Sequence, residues 1–155
     1  MKRVYYDYGT FRDDLKALAD RIDEEFDAIV AIARGGMTMA HLLGEYWDIR
    51  RVCTINAIGY DDTQKRGELT IFNYPDLSTP RRVLIVDDIA DSGETLAAVR
   101  QKLSARYPAI RFRTATLFYK PEKSCIEPDW WLKKADAWID FFWSEDLKRD
   151  AYCES

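Results

Sequence analysis

The stretch Val83-Leu84-Ile85-Val86-Asp87-Asp88-Ile89-Ala90-Asp91-Ser92-Gly93-Glu94-Thr95-Leu96 restricts the fold more than any other. An unbroken apolar run rich in β-branched residues suits a strand buried on both faces, as in a parallel sheet. Two adjacent carboxylates follow. Burying either one unpaired is costly, so Asp87 and Asp88 are expected at the strand's open carboxyl end. Asp91 to Thr95 then makes a tight turn, with a helix starting near Glu94. A helix start offers unpaired backbone N–H groups and the positive end of a dipole, which together cradle a phosphate. Ser92 and Thr95 add hydroxyl donors. The Asp pair sits where a vicinal diol would hydrogen-bond. A phosphate cradle beside diol-binding carboxylates describes a site for a phosphorylated ribose.

The same strand–turn–helix plan occurs earlier. Ala28 to Ala33 reads as a short buried strand, Arg34-Gly35-Gly36 as its turn, and Met37 to Trp47 as the helix. Paired glycines allow backbone N–H groups close to an anion, and Arg34 adds a fixed cationic fork. A plain strand–helix turn has the same composition. Neither a Walker loop nor a Gly-x-Gly-x-x-Gly dinucleotide fingerprint is present.

Before this unit, Phe11, Leu15, Leu18, Ala19, Ile22 and Phe26 have helical spacing, which predicts a helix from Thr10 to Phe26 capped by Thr10. After it, Arg51–Tyr60 and Glu68–Asn73 read as strands joined by a polar loop, either a lid or an exposed charged hairpin. The helix that begins near Glu94 runs to about Tyr107, where Pro108 stops it. Ile110–Tyr119 is another strand, ending in Lys120-Pro121. A lysine there projects toward the crevice where open α/β sheets bind ligands, although most lysines simply lie on the surface. Trp130, Trp131, Trp138, Phe141, Phe142 and Trp143 crowd the last part of the chain, a density suited to core, to an interface or to a stacking platform. Alternating strands and helices predict an α/β fold.

With 155 residues, 47% hydrophobic and 32% charged, the chain is expected to form one domain spanning 1–155. The segment after Met1 lacks the apolar core of a signal peptide, and no run approaches a membrane span. Three dispersed cysteines fit neither a disulfide framework nor a zinc site, so a cytoplasmic, reducing location is expected. A net charge of −4 argues against extended nucleic-acid binding.

The Val83–Leu96 stretch resembles the phosphoribosyl-pyrophosphate (PRPP) motif of type I phosphoribosyltransferases, and the chain is most similar to the bacterial xanthine-guanine type. Arg34-Gly35-Gly36 resembles that family's pyrophosphate loop. The run Tyr60-Asp61, Arg66, Glu68-Leu69 resembles its flexible loop, which favours the lid. Trp138 to Trp143 resembles its purine-holding hood, with Phe142 where proline is common.

The resemblance implies a mostly parallel central sheet flanked by helices, with a hood formed mainly by residues 120–155. It implies transfer of 5-phosphoribose from PRPP to a 6-oxopurine, with Mg2+ as cofactor. Ala90, Asp91, Ser92, Gly93, Glu94 and Thr95 would hold the 5-phosphate, with the Glu94 side chain turned away. Asp87 and Asp88 would hold the ribose hydroxyls, with Asp88 also touching magnesium through the diol or a water. Arg34, Gly35, Gly36 and Arg66 would meet pyrophosphate, with a cis Ala33–Arg34 peptide. Asp91 would be the general acid or base, and Lys120, Trp138 and Ile139 would hold the base. Guanine ranks first and adenine last. A homo-oligomer is implied, a tetramer or else a dimer. Two other readings are a PRPP-sensing regulator on the same fold and a phosphoribosyltransferase for another small base.

Overall fold

The computed structural model describes residues 2–59 and 69–152. In chain order the elements are β1 (Arg3–Tyr6), α1 (Tyr8–Arg21), β2 (Ala28–Ala33), α2 (Met37–Trp47), β3 (Val52–Gly59) and β4 (Leu69–Phe72). They continue with β5 (Arg82–Ala90), α3 (Glu94–Arg106), β6 (Arg111–Tyr119), β7 (Trp130–Lys134), β8 (Trp138–Phe141) and α4 (Phe142–Tyr152). The main sheet has the order β4-β3-β2-β5-β6-β7. Only β3–β4 is antiparallel; the other neighbours run parallel. A separate parallel ribbon joins β1 to β8.

The central strands β2 and β5 are buried on both faces, as their apolar runs require. Ile29, Ala31, Leu84 and Val86 share one core with Phe11, Leu15 and Leu18 of α1 and Met39 and Leu43 of α2. Ala28, Val30, Ile32, Val83 and Ile85 share the other with Leu96, Val99 and Leu103 of α3. Alternation along a pleated strand thus sorts one apolar run into two cores. Helices on both sheet faces match the expected mostly parallel architecture.

Helix α1 departs from its expected ends. Asp7, not Thr10, is the N-cap: its Oδ1 accepts from the Thr10 N–H at 2.7 Å. Thr10 therefore stands at the third helical position, as the donor. A carboxylate preceding the helix satisfies an orphan amide better than a threonine already inside it. The helix stops at Arg21, where the Ile22 N–H turns back to Leu18 and Ala19 carbonyls. Phe26 packs instead from the connecting loop, edge-on against Trp130 at 5.9 Å.

Much of the aromatic excess near the end of the chain is internal packing. Phe141 and Trp143 stack at 4.7 Å, and Phe11 meets Phe142 at 5.5 Å and Trp143 at 5.3 Å. Trp138, by contrast, is 49% exposed. Among the described residues, no helix is long and apolar enough to cross a membrane.

Candidate active site

The carboxyl ends of β2, β5 and β6 open on one edge of the sheet, and the loops leaving them build the site. After β2 the Ala33–Arg34 peptide is cis, as expected. Gly35 packs directly on the Asp88 side chain, and a Cβ there would overlap the carboxylate. Gly36 has a different role from the one its sequence suggests. Its N–H donates to Ile32 O at 2.9 Å, so that amide is already engaged. What Gly36 provides is clearance: a Cβ would meet the Val86 carbonyl and the Ile32 backbone at 3.1 Å.

After β5, residues Ala90 to Thr95 form the turn and helix start expected from the sequence. Ala90 is buried, Ser92 and Thr95 are half-buried, and Glu94 is exposed. The Ser92 hydroxyl accepts the Glu94 N–H at 3.3 Å. Gly93 has φ 77° and is the N-cap of α3; like Gly36 at the start of α2, it makes no side-chain cap hydrogen bond of its own. Glycine is needed at 93 twice over. Its backbone is left-handed, and a Cβ would run into Ser124 Oγ and the Ile126 side chain. The segment after β6 thus lies against the phosphate loop, tied by Lys120 N–H to Ala90 O at 3.0 Å and Cys125 N–H to Ser92 O at 2.8 Å.

Asp87 and Asp88 lie in the carboxyl-terminal part of β5, as expected, with Asp87 still in register with Thr116 of β6. Asp87 Oδ1 accepts the Asp88 N–H at 2.9 Å. Burial pushes both carboxyls above the ordinary carboxylate range, and for Asp87 the Asp88 charge adds to it. The folded protein therefore holds protons here more tightly than the unfolded chain. That stability is present below the unfolded pKa and is lost as pH rises through the raised folded value. Asp87→Asn keeps the acceptor for Asp88 and removes the burial cost of a charge. The ligand-free variant should melt several degrees above the parent near about pH 7, with the gap closing toward about pH 4, as scanning calorimetry would read.

Two cavities meet at this edge. One, of about 1090 Å3, is lined by Arg34, Gly35, Thr38, Asn56 and Asp88. The other, of about 380 Å3, is lined by Ile89, Asp91, Lys120, Trp138, Ile139 and Asp140, among others. Ser144 and Lys148 of α4 line both. The structure thus gathers Asp91, Lys120, Trp138 and Ile139 from three separate parts of the chain around one cavity. Asp91 Oδ1 lies 3.0 Å from Lys123 Nζ and 3.5 Å from Lys120 Nζ.

Lys123, Ile89, Arg3, Asp140 and the α4 residues escaped the sequence reading. Lys123 sits in an aperiodic turn without any signal. Ile89 was legible in principle, as the apolar residue directly after the Asp pair and before a buried alanine. Arg66 and the loop around it lie outside the described residues. Among the described residues, no group of three or more His, Cys, Asp or Glu side chains is arranged to hold a metal ion by itself. The Asp87–Asp88 pair offers hard oxygen donors, which suit a magnesium ion that keeps waters and substrate oxygens for the rest of its shell.

Residues 5–150 match the model of the phosphoribosyl transferase domain. The xanthine-guanine phosphoribosyltransferase of Roseobacter denitrificans (strain ATCC 33942 / OCh 114) is 32% identical over 161 positions, covering 95% of this chain and 88% of that protein. Among solved structures, the Helicobacter pylori xanthine-guanine-hypoxanthine phosphoribosyltransferase superposes with a TM-score of 0.90 at 39% identity, covering 97% of this chain and 99% of the other. A purine phosphoribosyltransferase from Pyrococcus horikoshii Ot3 follows at 0.81 and 29%, with coverages of 94% and 96%.

Proposed function

We infer the reaction from one premise, that this chain belongs to the phosphoribosyl transferase family. It is a purine salvage enzyme that transfers 5-phosphoribose from PRPP to a 6-oxopurine, giving the nucleoside monophosphate and pyrophosphate. One observation supports this most: Lys120, Asp91 and Trp138 share a cavity immediately beside the phosphate loop. The 5-phosphate binds at Ala90–Thr95, on the α3 N-terminus. The ribose hydroxyls bind at Asp87 and Asp88. Arg34 and Gly35 hold pyrophosphate, with Gly36 giving that loop its clearance and Arg66 adding a further positive charge. Asp88 would hold Mg2+, which when bound would neutralise charge on the leaving pyrophosphate.

The bond to the leaving group breaks with a ribosyl-cation-like transition state, so the protein's work is positioning and charge stabilisation. Asp91 takes the proton from the purine ring nitrogen as the new bond forms. Lys120, held near Asp91 in the free site, turns to the 6-oxo group. Backbone carbonyls at Trp138 and Ile139 accept from the 2-amino group of guanine. Self-association as a tetramer, with a dimer as second choice, and a cytoplasmic location belong to the same reading. The exposed Met37, Tyr46, Ile58 and Phe72 side chains support self-association.

Pyrophosphate release from PRPP, assayed in parallel with guanine, xanthine, hypoxanthine, adenine and uracil, tests the function. Guanine should be used best and adenine least. Salt-dependent nucleic-acid affinity without turnover would favour a PRPP-sensing regulator instead. Preference for the 6-oxo group rests on Lys120, because an ammonium offers donors only and adenine presents another donor there. Lys120→Ala should raise the KM for guanine about 10- to 100-fold and leave that for PRPP within about twofold. Unchanged guanine kinetics in this variant would remove Lys120 from the role.

A further inference from the structure

The indole of Trp138 stands on the outer face of the β1–β8 ribbon. Side chains alternate along β8: Phe141 is buried in the core and Ile139 packs against it, whereas Trp138 and Asp140 take the opposite face. A ring that is 49% exposed has few neighbours to hold its χ angles. What restrains it is polar. Its Nε1–H donates to Asp140 Oδ1 at 3.1 Å. The same oxygen accepts from Arg3 Nη2 at 2.7 Å, while Arg3 Nε donates to Oδ2 at 3.0 Å. The Arg3 guanidinium carbon lies 5.8 Å from the centroid of the Trp138 ring. Arg3 itself is in register with Trp138 across the ribbon. All three residues line the same cavity as Asp91 and Lys120.

We propose that Arg3 is a positioning residue of the purine site: through the Asp140 carboxylate it fixes the Trp138 indole in the plane that a purine stacks against. The inference rests on the purine reading given above, takes the exposed Trp138 indole as the surface the base lies on, and adds a residue from β1. Arginine suits the task because its planar fork engages both carboxylate oxygens at once, leaving Oδ1 oriented to receive the indole N–H. A ring already fixed loses less freedom when a base stacks on it, so its benefit falls on purine affinity. The ion pair is largely solvent-exposed on its Arg3 side, so its contribution to folding is small.

The test is steady-state kinetics of Arg3→Met and Arg3→Lys beside the unaltered protein, with melting curves and calorimetric titration of GMP. Arg3→Met should raise the KM for guanine about 3- to 10-fold, keep the KM for PRPP within about twofold, and leave the melting temperature nearly unchanged. Arg3→Lys should fall between, since lysine keeps the charge without the fork. GMP should bind Arg3→Met about 3- to 10-fold more weakly. Equal rises in both KM values with a lower melting temperature would make Arg3 merely structural and overturn the proposal, as would unchanged guanine kinetics. Absence of turnover by the unaltered protein would remove the enzymatic reading alone. The GMP titrations would then decide on Arg3. Failure of the unaltered protein to bind GMP would overturn both.

Discussion

Asp91→Asn should slow turnover by about 10²- to 10⁴-fold, the usual contribution of a positioned general acid or base, while PRPP affinity stays within about twofold. Asparagine keeps the shape of the side chain and an oxygen for Lys123 and Lys120, which lie 3.0 and 3.5 Å from Asp91 Oδ1. What it cannot do is take a proton. The phosphate-binding part of the loop should be undisturbed, because its anchors are backbone bonds, from Lys120 N–H to Ala90 O and from Cys125 N–H to Ser92 O. Single-turnover rates at saturating substrates, set against equilibrium PRPP binding, separate the two effects. Collapse of PRPP affinity with normal turnover per bound complex would show that Asp91 serves the phosphate and not the purine.

Gly35→Ala and Gly36→Ala make the same chemical change one residue apart, and they should fail differently. At Gly35 the added methyl meets a side chain, the Asp88 carboxylate, which can swing aside. The fold should survive, and the contacts proposed for Asp88 with the ribose and the metal should be displaced. PRPP affinity should fall about 10- to 100-fold, the cost of losing one or two charge-assisted hydrogen bonds. At Gly36 every near atom belongs to the backbone of β2 or β5, in the middle of the sheet, and none can yield cheaply. That variant should lose about 1–3 kcal/mol of folding stability, as overpacked cores do. Denaturant melts and PRPP titrations of the two proteins check the contrast. A Gly36→Ala protein of parental stability, or a Gly35→Ala protein with parental PRPP affinity, would show the loop to be softer than its packing implies.

The parts of the site that could be read from sequence are those built by local order. A buried strand followed directly by Asp87-Asp88 and by Asp91-Ser92-Gly93 carries its own geometry, because strand end, turn and helix start are consecutive. The same is true of Arg34-Gly35-Gly36, although composition could not distinguish an amide offered to an anion from one bonded to Ile32. Lys120 was legible as a cation at a strand end. Lys123 was not, because its approach to Asp91 depends on how an aperiodic turn folds back. The cap of α1 was misplaced by three residues because Asp7 and Thr10 both suit a helix start, and only the chain's path shows which donates. β1 gave almost no local signal. Its strand character comes from pairing with β8, and alternation over Arg3–Tyr6 is too short to announce a partner so far along the chain.

That pairing also sets an order of events during synthesis. Arg3 leaves the ribosome long before the carboxylate it grips, since the two are separated by 137 positions. At ordinary elongation rates that is a wait of roughly 7 to 27 seconds. Within that interval every strand of the central parallel sheet through β6 has emerged, with its phosphate loop, while the first strand has nothing to pair with. A nascent chain can therefore form the sheet and the Ala90–Thr95 turn, with Asp91 and Lys120 in place, before the Trp138 wall of the cavity exists. The cavity that gathers Asp91 and Lys120 with Arg3 and Trp138 is complete only when β8 arrives and captures β1.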